Sequence, residues 1–232
     1  CMDSADIVVA ITEDEKEKIL EISSVAKVEV IPNIHSVDGT DTPFQERHDL
    51  LFIGHFLHTP NQDAVEYFVN EVLPLIRQKI PGVKFTILGS SVTDNVKNLS
   101  CDYVDVVGYV KCPVKYFASH KVFVSPLRYG AGMKGKIGQS MSLGLPLVTT
   151  TIGAEGMGLV HDKHVLINDD AEEFAASVVR LYTDESLWNG LSQRGLKHIK
   201  DKYSHAAVKA SLEKILGIVS VEANKASVDV EK

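Results

Sequence analysis

Cysteine is scarce in this chain, with three in 232 residues (Cys1, Cys101 and Cys112), an odd number at no metal-ligand spacing. That excludes a disulfide-stapled fold and a thiolate metal site, and it reads as free thiols in a reduced, cytoplasmic setting. Long apolar runs are missing too. None approaches the roughly 18 residues of a membrane span, and residues 1–10 lack the basic lead of a signal peptide. Positive charge is in deficit, with 24 Lys and Arg against 31 Asp and Glu, a net charge of -7. Such a balance argues against nucleic acid or an anionic bilayer as the main partner. It does not exclude a small anion, which needs only a local cluster of cations. No H-E-x-x-H, G-x-S-x-G, C-x-x-C or G-x-x-x-x-G-K-[ST] pattern occurs, which counts against metalloprotease, serine hydrolase, thiol-redox and P-loop chemistry. The histidines other than His55 and His58 show no metal-ligand spacing, so no metal is expected.

What is present is a rhythm of short apolar runs and longer helical patterns. The runs are Ile7–Ile11, Val28–Ile31, Leu50–Ile53, Phe85–Leu88, Tyr103–Val107, Val122–Val124, Leu147–Val148 and Val165–Ile167. Several are short, rich in Val and Ile, and continuous rather than alternating, as in parallel strands buried on both faces. Between them, Thr12 with Glu15 forms a capping box. Thr59-Pro60 predicts a helix start, and Val65, Phe68, Val69, Val72, Leu73 and Ile76 form its apolar face, with Pro74 expected to bend or break the helix near its end. Met133–Leu143 reads as a helix closed by Gly144 and Pro146, and Asp170 with Glu173 opens another. From Asp184 onward only helices follow. The expected fold is α/β, a doubly wound parallel sheet of Rossmann-like type with an all-helical C-terminal segment. Asn33–His48 is polar and turn-rich, which predicts a linker, and residues 217–232 read as a disordered tail.

In such a sheet, ligands bind beyond the carboxyl ends of the strands. The loops there carry glycine after almost every strand. Arg128-Tyr-Gly-Ala-Gly-Met-Lys-Gly-Lys136 is the richest, with three cations and three glycines at a helix start in an otherwise acidic chain. Backbone N–H groups together with side-chain charge suit a diphosphate. Glu155, between Ala154 and Gly156 on the same rim, is placed to accept hydrogen bonds from ligand hydroxyls. His55 and His58, after the strand that ends at Ile53, are placed to meet an anion. Each of these also has a bland reading as a solvated loop or cap residue.

Taken together, Phe123–Met157, Leu51–Val65 and Val106-Val-Gly-Tyr-Val110 resemble the donor-binding half of family 4 (group 1) glycosyltransferases, enzymes of GT-B fold. Ala5–Glu13 with Val30–Asn33 resembles the last strand–helix–strand of their N-terminal domain. The resemblance implies that residues 1–47 are that last piece plus linker, and 48–216 the donor domain. It implies a retaining transfer from a nucleotide-diphosphate sugar to a glycan, lipid or protein, without a metal or other cofactor. Arg128, Gly132, Met133, Lys134, Lys136 and His55 would hold the diphosphate. Tyr109, Val110 and Gln139 would serve base and ribose, and Glu155, Gly54 and His58 the sugar-contacting loops. No catalytic residue is assigned. Two departures stand out: Ala131 and Gln139 occupy the two places of the family's E-x7-E pair, and His55 stands where an arginine is common. The resemblance also implies that most of an acceptor domain would lie outside this chain, so acceptor binding and any peripheral membrane association are expected in that other half, and this half alone is expected to be inactive. A non-catalytic phosphosugar-binding module and a GT-B sugar-nucleotide epimerase are the alternative readings.

Overall fold

Leu50, Leu51 and Phe52 are consecutive and all fully buried, although neighbouring strand side chains point to opposite faces. A strand can meet that condition only inside a sheet covered on both sides. The computed structural model, which describes the backbone of residues 5–24 and 26–229 with side chains up to 217, shows that sheet. It comprises β3 (His48–His55), β4 (Phe85–Ser90), β5 (Val104–Gly108), β6 (His120–Ser125), β7 (Leu147–Thr149) and β8 (Leu166–Ile167). All are parallel, in the order β5-β4-β3-β6-β7-β8. Each lies on a run predicted from the sequence. Seven of the eight phenylalanines fill the layers around it with no exposed surface.

The chain divides into two units, residues up to Ser36 together with those from Lys200 on, and Val37–Ile199. In the first, β1 (Val8–Ala10) and β2 (Val28–Val30) pair in parallel around α1 (Glu13–Ile22). The capping box is made: the Glu15 N–H donates to Thr12 Oγ1 at 3.0 Å, and Glu15 Oε2 accepts from the Ile11 N–H at 3.0 Å. The division differs from the expected one at both ends. Residues 37–47 group with the sheet unit, where buried Arg47 donates to the carbonyls of Thr42 (2.8 Å), Phe117 (2.8 Å) and His120 (3.1 Å). The C-terminal residues return to the first unit, where the His35 N–H donates to the Tyr203 carbonyl at 2.8 Å.

The helices of the sheet unit are α2 (Thr59–Tyr67), α3 (Leu73–Lys79), α4 (Asp94–Lys97), α5 (Val114–Ser119), α6 (Gly135–Ser142), α7 (Thr151–Ala154) and α8 (Ala171–Thr183). α9 (Glu185–Lys202) and α10 (His205–Asp229) follow. Three predicted details change. The N-cap of α2 is His58 rather than Thr59, with no side-chain cap. Pro74 does not break the helix; a π-helical turn at Phe68–Val72 intervenes, and α3 restarts with the proline in its first turn, where no N–H is needed. α6 starts at Gly135, so Met133 lies in the loop before it. The stretch expected as a tail is helical to Asp229, since it holds neither Gly nor Pro after Gly217; residues 230–232 lie outside the described residues.

Candidate functional site at the sheet switch point

The chain lays down β3, moves outward to β4 and β5, then returns to place β6 on the other side of β3. Strand order therefore reverses between β3 and β6, and the loops leaving their carboxyl ends diverge to open a crevice. Residues 56–58 follow β3 and lead into α2. Residues 126–134 follow β6 and lead into α6. The residues singled out from the sequence fall mainly on these two loops and the helix starts behind them.

Lys134 is the N-cap of α6 and has no side-chain acceptor with which to cap. The Ile137 N–H bonds the Lys134 carbonyl at 2.9 Å, and the N–H groups of Gly135 and Lys136 face the loop side of the helix start, where an anion is favoured. Lys134 Nζ lies 2.5 Å from the Gly132 carbonyl and 3.2 Å from Glu155 Oε2, the residue that ends α7. Lys136, two residues on, donates to Asn61 Oδ1 and sits 4.3 Å from the centre of the Phe52 ring. Burial pushes its ammonium down to about 7, and repulsion from Lys134 adds to the effect. The loop has room beside it: a Cβ added at Gly132 or Gly135 would meet nothing within 4 Å. Gly130, Gly132 and Gly135 also have G-x-G-x-x-G spacing. In a dinucleotide-binding turn that pattern follows the strand directly, whereas here Pro126, Leu127, Arg128 and Tyr129 separate it from β6.

Arg128 is differently placed. Its Nε donates to Asp63 Oδ2 at 3.0 Å, a second bond runs to Asp63 Oδ1, and its guanidinium lies 4.6 Å over the Tyr67 ring. It braces the loop on α2, with its charge already matched. Among the described residues Arg128 and Lys134 each have a carboxylate partner, whereas the hydrogen bond of Lys136 goes to the neutral Asn61 amide. His55 is exposed, with Nδ1 2.9 Å from Ser90 Oγ, and His58 is exposed at the start of α2. Gly54 pairs with Gly89 on β4. Tyr109, 74% exposed, and half-buried Val110 follow the edge strand β5 on the same rim, and Gln139 is half-buried one turn into α6. Met133 is half-buried in the loop.

Sequence reasoning missed Asn61, Asp63, Phe52 and Tyr67. One signal could have found Asn61. It lies four residues before Val65, in register with the apolar stripe, and a polar residue on a buried face needs a partner. It is 6% exposed, and its Nδ2 donates to the His55 carbonyl at 2.8 Å.

A groove of about 660 Å³ lies at the opposite, amino ends of the strands, lined by His48, Lys84, Cys101, Tyr103, Tyr116 and His120 among others. His120 at its floor is committed to structure. Its Nδ1 is 2.8 Å from the Tyr116 carbonyl and its Nε2 2.8 Å from Thr86 Oγ1, and burial lowers its pKa below 6.5. The groove carries no loop cluster of the kind at the switch point. Among the described residues no group of three His, Cys, Asp or Glu side chains could hold a metal ion, and no helix is long and apolar enough to cross a membrane.

Comparison with known proteins bears on the same region. A family model described as Glycosyl transferases group 1 matches residues 47–184. A curated relative, "Uncharacterized 44.6 kDa protein in cps region" of Klebsiella pneumoniae, is 24% identical over 175 residues, covering 72% of this chain and 45% of its own. The "Capsular polysaccharide biosynthesis glycosyltransferase CapM" of Staphylococcus aureus is 25% identical over 149 residues, covering 60% of this chain and 39% of its own. The chain thus spans less than half the length of the curated relatives it matches. Among solved structures, a point mutant of S. aureus TarM in complex with fondaparinux, alpha-GlcNAc-glycerol and UDP superposes with a TM-score of 0.76 at 23% identity. The match covers 93% of this chain and 44% of that one, and it agrees with the Rossmann-like parallel sheet described above.

Proposed function

The chain belongs to the group 1 glycosyltransferases, and from that premise we propose that its sheet unit is the donor half, binding a nucleotide-diphosphate sugar in the crevice between β3 and β6. One observation carries this reading. Lys134, Lys136 and the uncapped start of α6 converge at the switch point, in a chain whose net charge is -7. An anion there meets backbone N–H groups, the helix dipole and two ammonium groups together. The reaction would transfer a sugar, with retention, to a glycan, lipid or protein acceptor. Its barrier lies partly in the charge that builds on the departing diphosphate. Lys134 and Lys136, with the first-turn N–H groups, would stabilise that charge from fixed positions and would supply the positive charge that a metal provides elsewhere. The Lys134–Glu155 pair gives Lys134 a resting partner that the diphosphate would displace, freeing the Glu155 carboxylate for sugar hydroxyls. The UDP in the TarM complex and the capsular role in the CapM name support a nucleotide-sugar donor and a polysaccharide product.

Calorimetric titration of residues 1–232 with UDP-, GDP- and ADP-sugars tests the reading. One donor class is expected to bind, with Lys136→Ala weakening it about tenfold or more, the order expected for losing one charge-assisted contact. Absence of binding by all three, or affinity unchanged in both Lys134→Ala and Lys136→Ala, contradicts it.

A further inference from the structure

The loop that follows β6 and the start of α6 lean on the N-terminal half of α2 at three points. Arg128 is bonded to Asp63, the Lys136 amine to Asn61 Oδ1, and a Cβ at Gly130 would lie 3.7 Å from the Pro60 ring. Asn61 does more than touch. Its Nδ2 is spent on the His55 carbonyl at 2.8 Å, which fixes the amide with its oxygen toward Lys136. The residue thus ties the end of β3 to the start of α6 across the switch point. Close packing holds it there, since a Cβ at Gly54 would stand 3.0 Å from the Asn61 Cγ.

We propose that Asn61 is a positioning residue for donor binding: its side-chain oxygen holds the Lys136 amine at the mouth of the crevice, charged and aimed at the diphosphate. The proposal rests on the donor reading above. The groups bearing on Lys136 are few. Phe52 on β3 offers a ring face, Asn61 on α2 offers the neutral acceptor, and Lys134 is the charged neighbour, itself paired with Glu155. Burial and the neighbouring Lys134 ammonium push the amine down to about 7, and an acceptor oxygen favours the charged form. A phosphate-binding lysine must be charged when the donor arrives. Asn61 therefore sets the pH range of binding as well as the geometry.

The test is the pH profile of UDP-, GDP- or ADP-sugar affinity for residues 1–232. These donors are diphosphate diesters, whose own charge is constant from about pH 5.5 to 8.5. Wild type is expected to bind best below neutrality and to weaken as pH rises through about 7. Asn61→Ala should lose on the order of tenfold in affinity at neutral pH and move the fall to lower pH. Asn61→Asp offers a carboxylate of the same size and should move it to higher pH. That variant carries the test even where Asn61→Ala melts early. Profiles of both variants that coincide in midpoint with wild type overturn the proposal, whatever their affinities. No binding by wild type overturns the donor reading instead.

Discussion

Lys136 carries a tension between folding and function. Its amine is charged at pH 10 in an unfolded chain but only below about 7 in the folded protein. Between the usual lysine value of 10.5 and about 7, the unfolded state binds more protons, so stability rises with pH through that window and is lost as pH falls. Below about 7 both states are charged and the full penalty stands. Replacing the amine by an apolar group of similar length removes the penalty and the anion contact together. Lys136→Met is therefore expected to unfold at higher urea concentration than wild type at pH 6, while losing nucleotide-sugar affinity. A variant less stable than wild type at that pH would show that the buried amine is well compensated after all. Arg128 looked equivalent in the sequence and is not, because Asp63, sixty-five positions away, has already claimed its charge.

At the scale of elements, close approach decides which substitutions the sheet tolerates. Gly54 and Gly89 are register partners on β3 and β4, and a Cβ at Gly89 would fall 1.8 Å from the Gly54 carbonyl oxygen, at a φ of +151°. Gly89→Ala is expected to cost more than about 4 kcal/mol in denaturant unfolding, beyond what an ordinary surface change does. A loss under about 1 kcal/mol would mean that the strands separate easily there. The same elements show what the sequence disclosed. Continuous Val, Ile, Leu and Phe runs placed the inner strands β3, β4, β6 and β7, where burial on both faces leaves no alternation to misread. The end of α6 was equally legible: Gly144, at φ +72°, lets its own N–H reach the Met141 carbonyl and that of Leu145 the Ser140 carbonyl. The start of α6 was not, because Met133 continues the apolar stripe while the glycines beside it favour loop. The bonds from α2 to Arg128 and Lys136 were invisible, since Asn61 and Asp63 find these partners only once β6 has come back beside β3.

At the scale of the molecule, topology locates the crevice and charge marks it. One reversal of strand order, between β3 and β6, opens the loops at the carboxyl end, and the acidic background makes Lys134 and Lys136 a local exception. The competing cavity lies at the other end of the same sheet, lined by His48, Lys84 and Tyr103, so the two sites separate cleanly in any bound structure. The most direct measurement is a crystal structure of residues 1–232 with a nucleotide-diphosphate sugar. The account predicts the diphosphate against Gly132, Lys134 and Lys136 at the start of α6. Density for it in the groove beside His48 and His120, with the α6 loop empty, would contradict the account.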